Sequence, residues 1–261
     1  MGSLGCMETA LATHGLVKRF GATLAVDNLD LRIPGGHVFG LVGPNGAGKT
    51  TAMSMICGLL RPDHGRVTVL GHDVWRDPIG AKAHFGVLPD SMLLFDRLSG
   101  VELLRYNGRL RGLPRDLVEQ RAGELLHVLG LAEDANKVVA DYSAGMTKKI
   151  SLACALIHAP RLLILDEPLE AVDPVSGQVI RTLLRDYARG GGAVLLSSHV
   201  MELVENLCDG VGIMAGGRLL LTGTVAQVRG DSTLQDRFVE LVGQGRIPGE
   251  ETLQWLRRSS L

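Results

Sequence analysis

Apolar positions along this chain change period several times, and each change marks an element. The first dozen residues keep no period and predict a loose start, after which 16–20 and 29–33 predict short strands. A turn at Pro34-Gly35-Gly36 leads into the apolar run Val38-Phe39-Gly40-Leu41-Val42, which predicts a strand. Helix spacing takes over in Ala52, Met53, Met55, Ile56, Leu59 and Leu60. Short strands are predicted again at 66–69 and 85–88. From Ser99 to about His158 only helix is expected, at 101–110, 115–129 and 144–157, with breaks at Pro114 and Gly130. Strand–helix alternation then returns. A strand at 162–165 is followed by a helix at 174–188, with Asp173 as cap and Pro174 at its first position. A strand at 193–196 and a hairpin of 211–214 with 218–221 complete the pattern, and the last thirty residues add one or two helices.

Strands as apolar as 162–165 need cover on both faces, which predicts an α/β fold with a parallel sheet between layers. The uninterrupted helices near 91–157 form an insertion, and the early strands form an antiparallel patch. Composition narrows the partners. The 261 residues carry 27 Lys and Arg against 28 Asp and Glu, with five Phe, three Tyr and two Trp. Balanced charge and few aromatics speak against a nucleic-acid surface. Cys6, Cys57, Cys154 and Cys208 match no metal or redox spacing and suit a reducing compartment. No stretch resembles a membrane span or a signal peptide, so attachment to a membrane is expected only through a partner.

Chemistry concentrates at a few points. Gly43-Pro44-Asn45-Gly46-Ala47-Gly48-Lys49-Thr50-Thr51 fits G-x-x-x-x-G-K-[ST] between a predicted strand and a predicted helix. In that setting glycines let successive backbone N–H groups turn toward phosphate oxygens, beside the open N-terminus of the helix. Lys49 supplies charge for the β- and γ-phosphates and Thr50 a hydroxyl for Mg²⁺, so a nucleoside triphosphate is the expected ligand. The strand at 162–165 ends in Asp166 and Glu167, whose side chains leave on different sides. Asp166 is placed to hold Mg²⁺ through water, and Glu167 to act as general base on the attacking water. His199, after the next apolar strand, is the one histidine of eight in a comparable setting. Ser143 caps the helix that starts near 144, and Gly145 lets a ligand approach its first turn. One phosphate loop already surrounds most of a triphosphate, so this second helix end is expected to serve the nucleotide of a neighbouring subunit.

Together these motifs, over about residues 14–230, resemble the ATP-binding subunit of an ABC transporter. The resemblance implies a P-loop NTPase with a RecA-like core, an antiparallel β subdomain and a helical insertion, followed by a short C-terminal extension at 231–261. It implies ATP and Mg²⁺ as ligands and head-to-tail dimers, or a paired ATPase subunit. In such dimers Ser143 and Gly145, from Tyr142-Ser143-Ala144-Gly145-Met146, meet the γ-phosphate bound by the other copy. Asp166, Glu167 and His199 match the metal aspartate, the catalytic glutamate and the switch histidine. Ala171-Val172-Asp173 matches the loop that crosses the dimer seam. Phe20 matches the aromatic that stacks on adenine, with Val26 packing nearby; a phenylalanine of the core is the other reading. The form of 142–146, with Leu-Leu-Thr-Gly-Thr at 220–224, resembles the drug, antibiotic and polysaccharide exporter branch. That branch pairs with a separate integral membrane permease, which implies a peripheral place on the cytoplasmic side of the cell membrane. Asp90 stands where the family carries glutamine; it keeps an oxygen for Mg²⁺ but adds charge beside the triphosphate. A slower, regulatory nucleotide-binding subunit therefore stays open as the alternative to an exporter ATPase. Glu170 is read either as a seam contact or as a solvated side chain.

Overall fold

The computed structural model describes residues 8–89 and 94–243. The elements run β1 (Thr9–Phe20), β2 (Thr23–Pro34), β3 (Val38–Val42), α1 (Lys49–Ile56), β4 (His64–Val69), β5 (His72–Asp73), α2 (Pro78–Ala83) and β6 (Phe85–Leu88). They continue with α3 (Gly100–Leu110), α4 (Arg115–Val128), α5 (Ala144–Leu156), β7 (Leu162–Leu165), α6 (Pro174–Arg189) and β8 (Ala193–Ser198). The last are α7 (Met201–Leu207), β9 (Gly210–Ala215), β10 (Arg218–Thr224), α8 (Val225–Arg229) and α9 (Leu234–Gly243).

A six-stranded sheet in the order β10-β9-β3-β8-β7-β6 forms the centre, and only its edge strand β10 is antiparallel to its neighbour. Alternation along its strands divides the core in two. Leu163, Leu165, Val194 and Leu196 face a helical layer of α3 to α7. Leu162, Ile164, Ala193 and Leu195 face a second layer, made of α1 and the four-stranded antiparallel sheet β2-β1-β4-β5. The helical insertion has no core of its own. Leu103, Leu104, Ala122, Leu126 and Ile150 join the same apolar cluster as the sheet residues behind them. Its helices start where expected: Ser99 and Glu102 form a capping box on α3, and the Ser143 side chain accepts from Met146 N–H on α5.

Gly86 shows how closely the layers meet. A Cβ there would run into the backbone carbonyl of Ala155, so α5 lies directly on β6. Gly86→Ala should lower the unfolding free energy by about 1–3 kcal/mol, because backbone rather than a flexible side chain must give way. Urea unfolding checks this, and an unchanged midpoint would contradict the packing.

Two expectations about the elements are corrected. The chain is not loose up to residue 12: β1 starts at Thr9 and, like β2, is 12 residues long. Its pairing with β2 breaks register between Thr13 and Leu16, where Gly15 takes positive φ, and again between Leu16 and Lys18, opposite Asn28, also at positive φ; these bulges reset the alternation. The short helices α2 and α7 carry too few turns to leave a period. At the C-terminal end α9 joins the body through buried Leu234, and Glu205 binds both Arg229 (2.8 Å) and the N–H of Leu234 (3.1 Å).

Candidate nucleotide site

The loop between β3 and α1 is held from behind by two strands. Gly217 N–H donates to Ala47 C=O (3.0 Å), and Asp27 N–H donates to Gly217 C=O (2.8 Å), so the β9–β10 turn and β2 brace it. Gly48 takes φ 101°, and a Cβ there would collide with the carbonyl of Ala25. The α1 N-terminus has no side-chain cap, which leaves its first N–H groups for an incoming anion. Lys49 is 9% exposed and donates to the carbonyls of Gly43 (2.6 Å) and Pro44 (3.3 Å). Burial holds its pKa below the ordinary lysine value, while Glu167 and Asp166 pull the other way.

The opposite wall comes from the ends of β7 and β8. Asp166 is buried, and its N–H donates to Leu88 C=O (2.7 Å). The next residue, Glu167, sits at φ 46°, an uncommon conformation for a residue with a Cβ. Its N–H donates to Ser197 Oγ (2.9 Å), and its Oε1 lies 3.1 Å from His199 Nδ1. Glu167 is mostly buried, and His199 is more than half exposed. Between the walls lies a cleft of about 890 Å³, lined by Asn45 to Thr51, by Asp166, Glu167, Glu170 and His199, and by Thr23, Leu24, Ala25, Gly216 and Gly217.

These groups fit a triphosphate with a hard divalent cation. The α1 N-terminus is uncapped, a Cβ at Gly48 would strike the backbone that closes on the loop, and Lys49 lies along the loop. Thr50 and Asp166 supply a hydroxyl and one carboxylate to the same cleft. Among the described residues no group of three His, Cys, Asp or Glu could hold a metal ion. A cation here would therefore draw on Thr50, Asp166, the nucleotide and water, a mixed oxygen set of the kind Mg²⁺ takes.

Other expected site residues stand elsewhere. Gly43 and Pro44 face Lys49 through their carbonyls. Phe20 is 51% exposed with Lys18 Nζ 5.6 Å from its ring centroid, and Val26 is fully buried in the core beneath the antiparallel sheet. Neither lines the cleft; Thr23, Leu24 and Ala25 do so instead. Ser143 and Gly145 also lie outside it. A Cβ on Gly145 would stand 2.9 Å from Ala171 C=O, so its missing side chain already has a reason within one chain. Asp90 lies outside the described residues. Sequence reasoning missed the cleft wall formed by Gly216 and Gly217, which only the pairing of β9 with β3 brings to the loop. It also missed Ser197, hidden as one more small residue at the end of an apolar strand.

A phosphate loop, two strand-end carboxylates and a histidine around one cleft define the P-loop class of nucleotide hydrolases. The chain belongs to the ABC transporter family, which matches residues 26–170. It is 38% identical over 225 residues to the daunorubicin resistance ATP-binding protein DrrA3 of Streptomyces coeruleorubidus, covering 86% of this chain and 71% of that one. It is 35% identical over 215 residues to the bacitracin transport ATP-binding protein BcrA of Enterococcus faecalis, covering 82% and 69%. Among solved structures, an ATP-binding subunit of an ABC transporter superposes with a TM-score of 0.85 at 28% identity, covering 89% of this chain and 99% of that one.

Proposed function

We propose that this chain binds and hydrolyses ATP to drive an export complex whose permease is a separate membrane protein. The observation that carries this is the convergence of Lys49, Asp166, Glu167 and His199, from three separate strand ends, on one cleft. Relatives named for drug resistance and for bacitracin transport support export as the purpose. Among the described residues no helix is long and apolar enough to cross a membrane. Relatives named as ATP-binding proteins of drug resistance and of bacitracin transport support a separate permease chain, with this one on the cytoplasmic face. Residues 14–230 act as the ATPase unit, with 231–261 as an extension, and the stretch near 88–110 meets the permease.

The chemistry follows from the side chains. Loop N–H groups and the α1 N-terminus bind phosphate oxygens, and Lys49 leaves its two carbonyls for the β- and γ-phosphates. Glu167 accepts a proton from the attacking water at its carboxylate, and His199, in contact with Oε1, keeps that carboxylate turned toward the cleft. When bound, Mg²⁺ would neutralise phosphate charge; Thr50 would hold it by its hydroxyl, Asp166 through water and Asp90 by a carboxylate oxygen. Two copies pair head to tail, so that Ser143 and Gly145 of one complete the γ-phosphate site of the other.

Steady-state phosphate release by the purified chain tests this reading. Turnover should require magnesium and rise more steeply than protein concentration as copies pair. Ser143→Arg should abolish that turnover, yet leave nucleotide affinity of the single chain within about twofold, because Ser143 does not line its own chain's cleft. Lost affinity in Ser143→Arg would place it in its own chain's site, and absent turnover in the wild type would remove the assignment as an ATPase.

A further inference from the structure

The β7–β8 ladder ends at Leu165 opposite Leu196, and one side chain takes over where backbone pairing stops. Asp166 N–H still finds a strand, at Leu88 C=O, but Glu167 N–H has none to meet. Ser197, with no exposed surface, accepts it at 2.9 Å. The same hydroxyl donates its proton to Asp166 Oδ1. The hydroxyl thus spends its one donor and one of its two acceptor lone pairs on the two acidic residues of the site, one through its carboxylate and one through its backbone.

We infer that Ser197 is a positioning residue for ATP hydrolysis: it fixes the Asp166 carboxylate by one oxygen and pins the Glu167 backbone in the conformation that aims its carboxylate at His199. The inference rests on the roles given above to Asp166 and Glu167. With Oδ1 engaged, the other oxygen of Asp166 is left for the cleft, which Asp166 lines. Glu167 sits at φ 46°, a region that a residue with a Cβ leaves unless something holds it. Its N–H bond to Ser197 is that hold. Without it the peptide is free to turn, and the 3.1 Å contact to His199 is lost with the carboxylate's direction.

The neighbouring serine provides a built-in control. Ser198 is 3% exposed on the same strand, but its Oγ accepts from Val200 N–H (3.0 Å) and serves neither acid. A general penalty for removing a buried hydroxyl from this strand would appear at both positions. A positioning role would appear only at Ser197.

Ser197→Ala, Ser197→Thr and Ser198→Ala should be compared with the wild type in two assays. The first is affinity for a fluorescent ATP analogue with magnesium and with a chelator; the second is kcat and KM for magnesium–ATP. In Ser197→Ala, chelator affinity should stay within about twofold, while the gain in affinity on adding magnesium shrinks and kcat falls, each by about 10–100-fold. KM for magnesium–ATP should rise in step with the lost magnesium gain. Ser197→Thr, which keeps the hydroxyl, should recover most of both losses, and Ser198→Ala should match the wild type. Equal losses in Ser197→Ala and Ser198→Ala, or an undiminished magnesium gain and kcat in Ser197→Ala, would overturn the inference while leaving the ATPase reading intact. A wild type with no magnesium gain at all would instead overturn the metal role of Asp166, and this inference with it.

Discussion

Glu167→Gln should bind ATP as the wild type does and hydrolyse it about 10²–10⁴-fold more slowly, the span expected when a general base is removed. Glutamine matches the size and polarity of glutamate and can keep the contact with His199, so the cleft should hold its shape. What it lacks is an oxygen able to accept the proton of the attacking water. Phosphate release measures the loss, and size-exclusion chromatography with ATP in the same samples should show a stable dimer, since bound ATP is no longer consumed. The backbone sharpens the prediction. The left-handed conformation at Glu167 is one of only five among described residues other than glycine, and it sits at the end of the strand that carries both acids. Unchanged turnover in this variant would remove Glu167 from the reaction.

Lys49→Ala should weaken ATP binding by about 10²-fold, since hydrogen bonds to charged groups contribute about 1.5–3 kcal/mol each. The effect on the empty protein should be much smaller, and the reason lies in where the amine rests. Lys49 is buried against the carbonyls of Gly43 and Pro44, and burial disfavours its charged form. Removing it forfeits two hydrogen bonds but also relieves the desolvation of a cation. The two nearly cancel, and the thermal midpoint should shift by less than the equivalent of about 1 kcal/mol. Nucleotide titration beside a thermal melt separates these terms. Retained affinity would contradict the phosphate-loop assignment, whereas a large fall in the midpoint would mean that the lysine mainly stabilises its own loop.

Much of this was legible in the sequence because local chemistry and tertiary role coincide. The loop at 43–51 carries its glycines for a backbone reason, and the helix after it is marked by period. Asp166 and Glu167 stand out as the abrupt polar end of an apolar strand. Ser143 marks α5 because a cap works through bonds within its own turn. The rest depends on register, which no local pattern encodes. Phe20 and Val26 follow each other by six positions on a bulged hairpin, and the bulge decides that Val26 turns into the core while Leu24 and Ala25 reach the cleft. Gly216 and Gly217 read as an ordinary hairpin turn until β9 pairs with β3 and sets them against the loop. Ser197 reads as neutral because its importance comes from two residues thirty positions away.

The contact between Gly145 and the Ala171 carbonyl bears on how paired copies would exchange signals. Ala171 belongs to the stretch that follows Glu167, and Gly145 lies in the first turn of α5, the turn that the proposed pairing would offer to the other copy. No side chain lies between them to absorb a displacement. A shift of the 171–173 loop, as one site loses its γ-phosphate, would press on the first turn of α5 with almost no slack, like a gear without backlash. The timing of hydrolysis at one nucleotide and the grip on the other would then be set by the same stretch of backbone.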